Sequence, residues 1–390
     1  MTTCIAAPDR PATPSASAPI TLRVFGRDEL VAGLERWKQL EAALDSASLA
    51  SSYDWTAAWL AHYADLIPSQ IVVAERGTET VGTCLITEGV GRRVGPFPLR
   101  SRHIGTAGEP DNDSSYVEYN RLLVAPDGRD EFVAALIDMV AGDARWDRFD
   151  LDGFAEEDLA PFLSRLPGAE CRRRESPCFD LAEVREAGVE PITRLGKSTR
   201  ASIRRTLRKY GDLDIEWAET PEQARDIFSE LVTLHQARWE AENEPGAFGS
   251  HRFRGFIDEL ITRLHPSGRI VLFRVRHEGE TVGALLLLVD RNRLLDYLSG
   301  FAPFEKKPSP GVITHFLCMN AALERGFDAY DFLVGEKRHK RNLSTSFNQL
   351  VWASWQRPCL KNRAIRALRD VKRTVRAWKN RRGSEGGATE

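Results

Sequence analysis

The residue types that can do chemistry are concentrated between residues 294 and 341. Lys307, Ser309, Pro310 and Gly311 follow a strand-like segment and directly precede a helical pattern. Ser309 is a suitable N-cap, and Pro310 fits the first turn, where its missing N–H costs nothing. A helix N-terminus offers free backbone N–H groups and the positive end of the helix dipole. The pattern predicts a site for an anion such as a phosphate, and an ordinary capped helix is the alternative.

Two carboxylates in the same stretch are candidates for acid–base chemistry. Asp331 lies between Tyr330 and Phe332, and burial there would raise its pKa toward the range of a useful base. Binding of a substrate ammonium group is a second use for it. Glu336 follows in a loop as another candidate base. A structural role for Asp331, bonded to the loop of residues 337–341, is equally open.

The stretch closes with the basic pair Lys340 and Arg341. These cations are candidates for holding Asp331 or for pairing with a ligand phosphate, and a solvated surface charge is the alternative. No cluster of His, Cys, Asp or Glu has metal-ligand spacing, so no metal is predicted.

The elements that must position these residues occur twice in the chain. A strand is predicted at 294–301, a helix at 312–325 and a second strand at 329–333. Before them, two apolar runs around a polar turn predict a hairpin, and the first half contains the same order. The two hairpins share the tetrapeptide Glu-Thr-Val-Gly, at 79–82 and 280–283. Asp150 occupies the position of Asp331 in the first copy. A tandem duplication explains these matches.

Composition limits the possible classes of protein. The chain has 390 residues, a formal net charge of −2 and six cysteines without a CxxC pair. We therefore expect reduced thiols in a cytoplasmic protein, without a disulfide framework or a general affinity for nucleic acid. No signal peptide and no membrane-spanning run are predicted. The expected segments are a disordered stretch at 1–19, two domains at 20–185 and 186–358, and a basic amphipathic helix with a flexible tail at 359–390.

Two basic segments have open interpretations. Residues 194–209 contain no acid and form either a solvated helix or a surface beside a phosphate-rich ligand. The C-terminal helix alternates apolar and basic positions. It can pack on its own domain, contact an anionic membrane surface or a polysaccharide synthase, or bind RNA.

The order of elements resembles a duplicated GNAT fold, the architecture of Gcn5-related N-acetyltransferases, over residues 22–355. More narrowly, the chain resembles the CelD/BcsL family of such enzymes, which is associated with cellulose and other polysaccharide biosynthesis. The resemblance is carried by residues 52–55, 234–239, 297–301, 309–311 and 330–336 with the Lys-Arg pair at 340–341. His339 stands where the family usually has a tyrosine. The resemblance implies an α/β fold of two tandem GNAT-like domains, with mixed, mostly antiparallel sheets flanked by helices.

The resemblance also implies a function. An acyl group would pass from acetyl-CoA or another acyl-CoA to an amine or hydroxyl of a saccharide-related acceptor. Lys307, Ser309 and Gly311 would bind the CoA phosphates, and Tyr297 would protonate the leaving thiolate or simply pack in the sheet. Asp127, in the corresponding loop of the first half, would disfavour an anion there, so the first donor site is expected to be degenerate.

Acceptor binding is assigned to residues of both halves, and two other functions stay open. The candidate acceptor residues are Arg238, Trp239, Asp113 and Asn120. The related peptidoglycan bridge-forming transferases take their acyl group from aminoacyl-tRNA, and the basic segment would suit that donor. A non-catalytic partner of a polysaccharide synthase is the other alternative.

Overall fold

The computed structural model describes residues 18–368 except 46 and 306. Most of the predicted disordered segment at 1–19 and of the predicted C-terminal helix lies outside these residues; residues 360–368 are helical. Among the described residues, no helix is both long enough and apolar enough to cross a membrane.

The first half contains the predicted hairpin, helix and following strand in that order, with several short strands between the hairpin and the helix. Its helices are α1 (Leu30–Ala43), α2 (Tyr53–Tyr63), α3 (Arg129–Gly142), α4 (Glu156–Leu163) and α5 (Leu181–Ala187). Its strands are β1 (Ile20–Phe25), β2 (Ser69–Arg76), β3 (Glu79–Glu88), β4 (Arg92–Val94), β5 (Phe97–Leu99), β6 (Ser101–Ile104), β7 (Leu123–Val124), β8 (Arg148–Ala155) and β9 (Glu170–Asp180).

The second half repeats this arrangement after the basic helix. Its helices are α6 (Lys197–Tyr210), α7 (Pro221–Ala241), α8 (His251–Leu264), α9 (Pro310–Glu324) and α10 (Arg338–Asn342). Its strands are β10 (Asp214–Trp217), β11 (Ile270–His277), β12 (Glu280–Asp290), β13 (Arg293–Phe301), β14 (Ala329–Asp331) and β15 (Ser346–Gln356). The predicted boundary between 185 and 186 falls inside α5, and the domain limits stay a prediction.

Thirteen strands from both halves join in one sheet because the halves exchange their last strands, and β4 and β5 pair separately as a two-stranded sheet. The order within the described residues is β1-β2-β3-β6-β8-β15-β9-β14-β13-β12-β11-β10, with β7 also paired to β3. β15 of the second half pairs with β8, and β9 of the first half pairs with β14. The pairs β6/β8 and β13/β14 are parallel, whereas the other pairs in this order are antiparallel. Neither half therefore completes its sheet without the other.

The shared tetrapeptide adopts the same structure in both hairpins. The register of β2/β3 shifts beside Val81, and the register of β11/β12 shifts beside Val282. A Cβ at Gly82 would lie 2.6 Å from Phe132 of α3, and a Cβ at Gly283 would overlap Thr314 of α9. Each glycine thus lets the crossover helix of its own half rest directly on the hairpin. The predicted duplication is confirmed at this level.

Helices cover both faces of the sheet because alternate strand residues point to opposite sides. Helices α1, α2, α7 and α8 share one core on one face. On the other face, α3 and α4 cover the first half, and α5, α6 and α9 cover the second. The ring of Trp55 in α2 meets Phe256 in α8 edge to face at 5.1 Å. The two halves therefore pack on each other through helices as well as through the exchanged strands.

Candidate active site

The site begins where β13 and β14 separate. Their parallel pairing ends at Leu295 and Asp331. Leu333, two residues later, has a left-handed φ of 56°, and Asp331 Oδ1 accepts the Leu333 N–H at 2.8 Å. This bond stabilises a conformation that costs a non-glycine residue free energy. The chain turns away here, so the rest of β13 has an edge without its parallel partner.

A groove of about 620 Å³ opens beside this edge. We call it the α9 groove, because the N-terminus of α9 forms one wall. The end of α7, the end of β13 and the segment before α10 form the others. A Cβ at Gly311 would lie 3.2 Å from Phe301, so a larger residue at this position would narrow the groove. Its lining residues are Leu234, Ala237, Arg238, Ala241, Glu242, Phe301–Glu305, Ser309–Val312, Lys337 and His339.

The α9 end of this groove suits an anion. Ser309 lies in the left-handed region at φ 48° and makes no side-chain cap bond to the helix. The N–H groups of Gly311 and Val312 lie in the first turn, where no intrahelical acceptor is available. Lys337 adds positive charge, and its pKa is lowered by burial and by the nearby Arg238 and Lys340. These donors and the helix dipole favour negative charge.

A buried polar cluster lies behind the groove wall. The ring of His339, which lines the groove, stacks on His315 at a centroid distance of 5.7 Å. His315 Nδ1 is 2.9 Å from the Tyr330 hydroxyl, and its Nε2 is 3.8 Å from Asp296 Oδ2. Burial lowers the pKa of His315 to about 3 and that of His339 to about 4. Both imidazoles are therefore neutral near pH 7.

Asp296 is the one acid of this cluster. Burial raises its pKa to about 6, although the charge of Lys340 opposes the rise. Its Oδ1 has no hydrogen-bond partner among the described residues. Burial disfavours the ionised form, but a carboxyl with a pKa of about 6 is still mostly ionised at pH 7. The wall behind the groove is thus polar, with two neutral imidazoles and one carboxylate near neutral pH.

Glu118 lies in contact with the segment that follows β14. It accepts the Val334 N–H at 2.9 Å, so a residue of the first half meets the site in the second. Burial raises the pKa of Glu118 to about 7, with the charge of Asp331 adding to the rise and Lys340 opposing it. A carboxyl that is half ionised near neutral pH has the proton affinity expected of a general base. Among the described residues next to the splayed strands, Glu118 is the carboxyl whose raised pKa best suits a general base at neutral pH.

Sequence reasoning missed Glu118. The residue lies in a stretch without regular structure, and Tyr116 and Tyr119 on either side have left-handed φ values of 46° and 56°. No periodic pattern marks such a segment. The only available signal was an acid inside the run Tyr-Val-Glu-Tyr, where solvation is expected to be poor.

Glu118 also borders a cavity of about 300 Å³ in the first half, which we call the first-half cavity. Trp352 of β15 and Arg174 of β9 form part of its wall, with the guanidinium 5.8 Å from the indole centroid. The exchanged strands therefore bring both halves into one cavity. The full lining is Gly89, Val90, Arg92, Ser101, His103, Thr106–Glu109, Asp111, Ser114, Tyr116–Glu118, Asp152, Arg172, Arg174 and Trp352.

Three of the residues predicted from sequence meet in the α9 groove. Ser309, Gly311 and Arg238 all line it, and Arg238 Nε lies 3.4 Å from Glu242. Glu336 is solvent-exposed on the loop before α10. Trp239 is adjacent to Arg238, but its Nε1 donates to His235 Nε2 at 3.0 Å.

Asp331 is a buried carboxylate whose hydrogen bonds hold several strands together. It is fully buried and accepts bonds from four donors. Besides Leu333, these are Ser176 Oγ at 2.5 Å, Asn348 Nδ2 at 3.0 Å and the Tyr119 hydroxyl. The donors come from both halves, so this carboxylate joins the exchanged strands. These contacts agree with a structural role, but not with the partners expected from the sequence, because none of the four donors lies in the loop of residues 337–341.

The predicted cations and the predicted general acid Tyr297 bond to other protein groups and do not line the α9 groove. Lys307 Nζ lies 3.2 Å from Glu280. Lys340 donates to the carbonyl oxygens of Phe332 and Leu333. Arg341 pairs with Glu175. Tyr297 donates to the Ser115 carbonyl at 2.6 Å, and burial raises its pKa well above the ordinary value.

The remaining candidates lie in the first half, outside the α9 groove. Asp113 accepts from Ser250 Oγ at 2.5 Å and so ties this half to α8. Asn120 is buried and donates to the Ile104 carbonyl at 2.7 Å. Asp127, in the first-half loop that corresponds to residues 306–311, pairs with Arg76 at 2.8 Å.

Comparison with known proteins agrees with this geometry. Residues 197–341 match the family model described as an acetyltransferase (GNAT) domain. This segment contains α7, α9 and the whole α9 groove. A search of curated proteins gave no match.

Two of the solved structures compared, FemX and a DUF2156 domain, share the fold at TM-scores above 0.5. FemX is 12% identical, covers 82% of this chain and 95% of its own, and has a TM-score of 0.54. The C-terminal DUF2156 domain of an Agrobacterium fabrum protein assigned as a lysylphosphatidylglycerol synthetase is 14% identical, covers 88% and 96%, and has a TM-score of 0.53. A tandem GNAT protein from the clavulanic acid pathway is 12% identical, covers 87% and 99%, and has a TM-score of 0.42. The predicted fold class is confirmed: the chain is an α/β protein of two tandem GNAT-like halves, with a mixed, mostly antiparallel sheet flanked by helices.

Proposed function

We propose that this protein transfers an acyl group from an acyl-CoA thioester to an amine or hydroxyl of a saccharide-related acceptor. The observation that carries the proposal is the α9 groove, an anion-favouring cleft of about 620 Å³ inside the segment that matches the GNAT model. The saccharide character of the acceptor, and a role in polysaccharide biosynthesis, rest on the resemblance to the CelD/BcsL family.

The donor is proposed to lie in the α9 groove. The free N–H groups of Gly311 and Val312 suit the pyrophosphate. Lys337 and Arg238 supply positive charge beside it. The apolar wall formed by Leu234 and Phe301 suits the less polar pantetheine arm. Glu118 lines the first-half cavity and not the α9 groove, so the thioester is proposed to reach it along the edge of β13 that β14 leaves free. The groove would then anchor the donor while its thioester end approaches the base.

Glu118 is the proposed general base. The acceptor nitrogen or oxygen attacks the thioester carbonyl, and its proton passes to Glu118. The carbon–sulfur bond then breaks, and the CoA thiolate leaves and takes up a proton from solvent. A base with a pKa near 7 suits this transfer because it is available at neutral pH and still binds the proton. The first-half cavity, which meets Glu118, is the proposed entry for the acceptor, and Trp352 offers an aromatic face for a sugar ring.

A thermal-shift titration tests the donor. Acetyl-CoA at about 100 times its Kd should stabilise the protein by about 2.7 kcal/mol, a rise in Tm of roughly 3 °C for a chain of this size. Gly311→Leu fills the groove and should abolish the rise. Gly142→Ala is the matched control, because nothing lies within 4 Å of a Cβ there. The proposal fails if no acyl-CoA of any chain length stabilises the wild-type protein.

Aminoacyl-tRNA is the second candidate donor, and α6 favours it. This helix contains no acid, and Lys197, Arg204, Arg205, Arg208 and Lys209 are exposed on it. Its last residue lies next to the α9 groove, because the Tyr210 hydroxyl donates to the Pro308 carbonyl at 3.0 Å. A row of cations about 18 Å long spans several phosphates of an RNA strand.

Salt dependence separates the two donors. RNA held by four or five cations should lose roughly 100-fold or more in affinity between 50 and 200 mM salt. Replacing Arg204 and Arg208 by glutamine should weaken tRNA binding and leave stabilisation by acetyl-CoA unchanged. Stabilisation by acetyl-CoA with no tRNA binding at low salt would reject this candidate.

A further inference from the structure

Three side chains of the first-half cavity form a continuous hydrogen-bonded array outside the proposed donor site. Ser101 Oγ lies 3.0 Å from His103 Nε2, and His103 Nδ1 lies 2.7 Å from Asp152 Oδ2. Ser101 and His103 share one face of β6, and Asp152 lies on the neighbouring parallel strand β8. The order hydroxyl, imidazole, carboxylate is that of an activated nucleophile, its base and the group that orients the base.

Two glycines let the backbone lie close to the serine and histidine of this array. A Cβ at Gly89 would overlap Ser101 Oγ and lie 2.7 Å from His103 Nε2. Gly108 has φ 100°, and a Cβ there would lie 3.3 Å from the His103 ring. All four residues line the cavity. Glycine at these two positions therefore keeps the serine and histidine in contact with the cavity space.

We propose that Ser101, His103 and Asp152 form a second catalytic centre, a serine ester hydrolase site in the first half. Ser101 is the nucleophile and His103 the general base. Asp152 is a positioning residue that holds the proton on Nδ1, so that Nε2 is free to accept. The site does not depend on the α9 groove or on the identity of the thioester donor.

The reaction needs only water as co-substrate. Ser101 Oγ forms a bond to the ester carbonyl carbon while its proton passes to His103 Nε2. The carbon–oxygen bond to the alcohol breaks, and His103 returns that proton to the alcohol. Water then attacks the acyl-serine, with its proton going to His103. The bond to Oγ breaks, the acid leaves, and Ser101 recovers its proton.

The cavity wall indicates the class of ester. Arg172 and Arg174 lie on the same face of β9, and among the described residues neither forms an ion pair. Trp352 adds an aromatic face beside Arg174. Unpaired guanidinium groups bind carboxylate or phosphate oxygens. The substrate class is therefore an ester that also carries an anionic group, such as an O-acylated acidic or phosphorylated saccharide.

The charges around His103 set its pH dependence. Asp152 bonds to it, Asp150 Oδ2 lies 3.7 Å from Nε2, and Arg148 pairs with Asp150. Burial lowers the pKa of His103, but the Asp152 bond and the two carboxylates outweigh it, so the net pKa is raised. Only the neutral imidazole accepts the serine proton. The rate of hydrolysis should therefore rise with pH and level off above the ordinary histidine value of about 6.5.

A fluorophosphonate probe and p-nitrophenyl acetate test the site in the full-length protein. The probe should label Ser101, identified by mass spectrometry of the peptide. Ser101→Ala and His103→Ala should each lower p-nitrophenyl acetate hydrolysis by about 100-fold or more. Asp152→Asn should retain labelling at Ser101 but at a slower rate, with an altered pH profile.

Ser164→Ala is the matched control, because Ser164 is exposed at the end of α4, outside the first-half cavity, and its Oγ donates to the Pro161 carbonyl at 2.8 Å. It should keep full hydrolysis. Thermal unfolding of every variant separates misfolding from loss of chemistry. No labelling at Ser101 of the folded protein, or unchanged hydrolysis by a folded Ser101→Ala variant, would overturn the proposal. Either outcome leaves the acyl-CoA titration unaffected, so the two proposals fail separately.

Discussion

Replacing Glu118 by glutamine should remove activity and at the same time stabilise the protein. The carboxyl is buried, and its pKa rises from an ordinary value of 4.5 to about 7 in the folded protein. Folding therefore disfavours the ionised form. Stability contributed by the protonated group is complete below pH 4.5 and is lost as pH rises toward 7. At about 1.4 kcal/mol per pKa unit, the loss amounts to roughly 3 kcal/mol.

Glutamine keeps the shape and the oxygen that accepts the Val334 N–H but cannot ionise. Urea unfolding at pH 5 and pH 8 measures the difference. The two proteins should be similar at pH 5, and the variant should be more stable at pH 8 by up to about 3 kcal/mol. Glu157→Gln, at an exposed position of α4, is the matched control and should change stability by less than about 0.5 kcal/mol at both pH values.

The activity of the same variant tests the role of the base. Release of the CoA thiol from acetyl-CoA, with glucosamine as acceptor, should be about 100-fold to 10,000-fold slower. For the wild-type protein, kcat/KM should rise with an inflection near pH 7, and the variant should lack this inflection. Full activity in Glu118→Gln would refute the assignment of the base. Equal stabilities at pH 8 would refute the electrostatic reasoning.

Two further substitutions test the architecture of the site. Asp331→Asn places an amide group among four hydrogen-bond donors. Urea unfolding should show a free energy of unfolding lower by about 3 kcal/mol. Unchanged stability with abolished turnover would instead favour the catalytic role that the sequence suggested. Gly300→Ala puts a Cβ 2.5 Å from the Leu231 carbonyl oxygen of α7. It should cost about 1–3 kcal/mol and reduce the thermal shift with acetyl-CoA, because α7 lines the groove. An equally large shift would show that the position of α7 does not affect donor binding.

The sequence predicted the site best where local chemistry defines it. Ser309, Pro310 and Gly311 indicate a helix N-terminus by residue type alone. Of the five predicted cofactor-binding residues, Ser309 and Gly311 line the α9 groove, whereas Lys307, Lys340 and Arg341 do not. Arg238 was assigned to acceptor binding from the family resemblance and lines that same groove. Lys307 pairs with Glu280, because the direction of a long side chain depends on neighbours that are distant in the chain.

Asp331 and Glu118 show the opposite case. The sequence favoured Asp331 as a base because an acid lies between two aromatic residues. Its four donors come from both halves, so its environment is set by the strand exchange. Glu118 carries only a weak sequence signal, an acid in the run Tyr-Val-Glu-Tyr. Its pKa is raised by burial and lowered in part by the hydrogen bond from Val334, 216 residues away along the chain.

By itself the sequence determined the repeat, the hairpins and the anion-favouring turn before α9. These features depend on contacts within a few residues or on a pattern that occurs twice. The tertiary structure alone decided that β9 and β15 change places, that the first-half cavity contains strands from both halves, and that burial raises the pKa of Glu118 to about 7. Burial and the electrostatic environment depend on residues that only folding brings together, so they cannot be read from any single stretch of sequence.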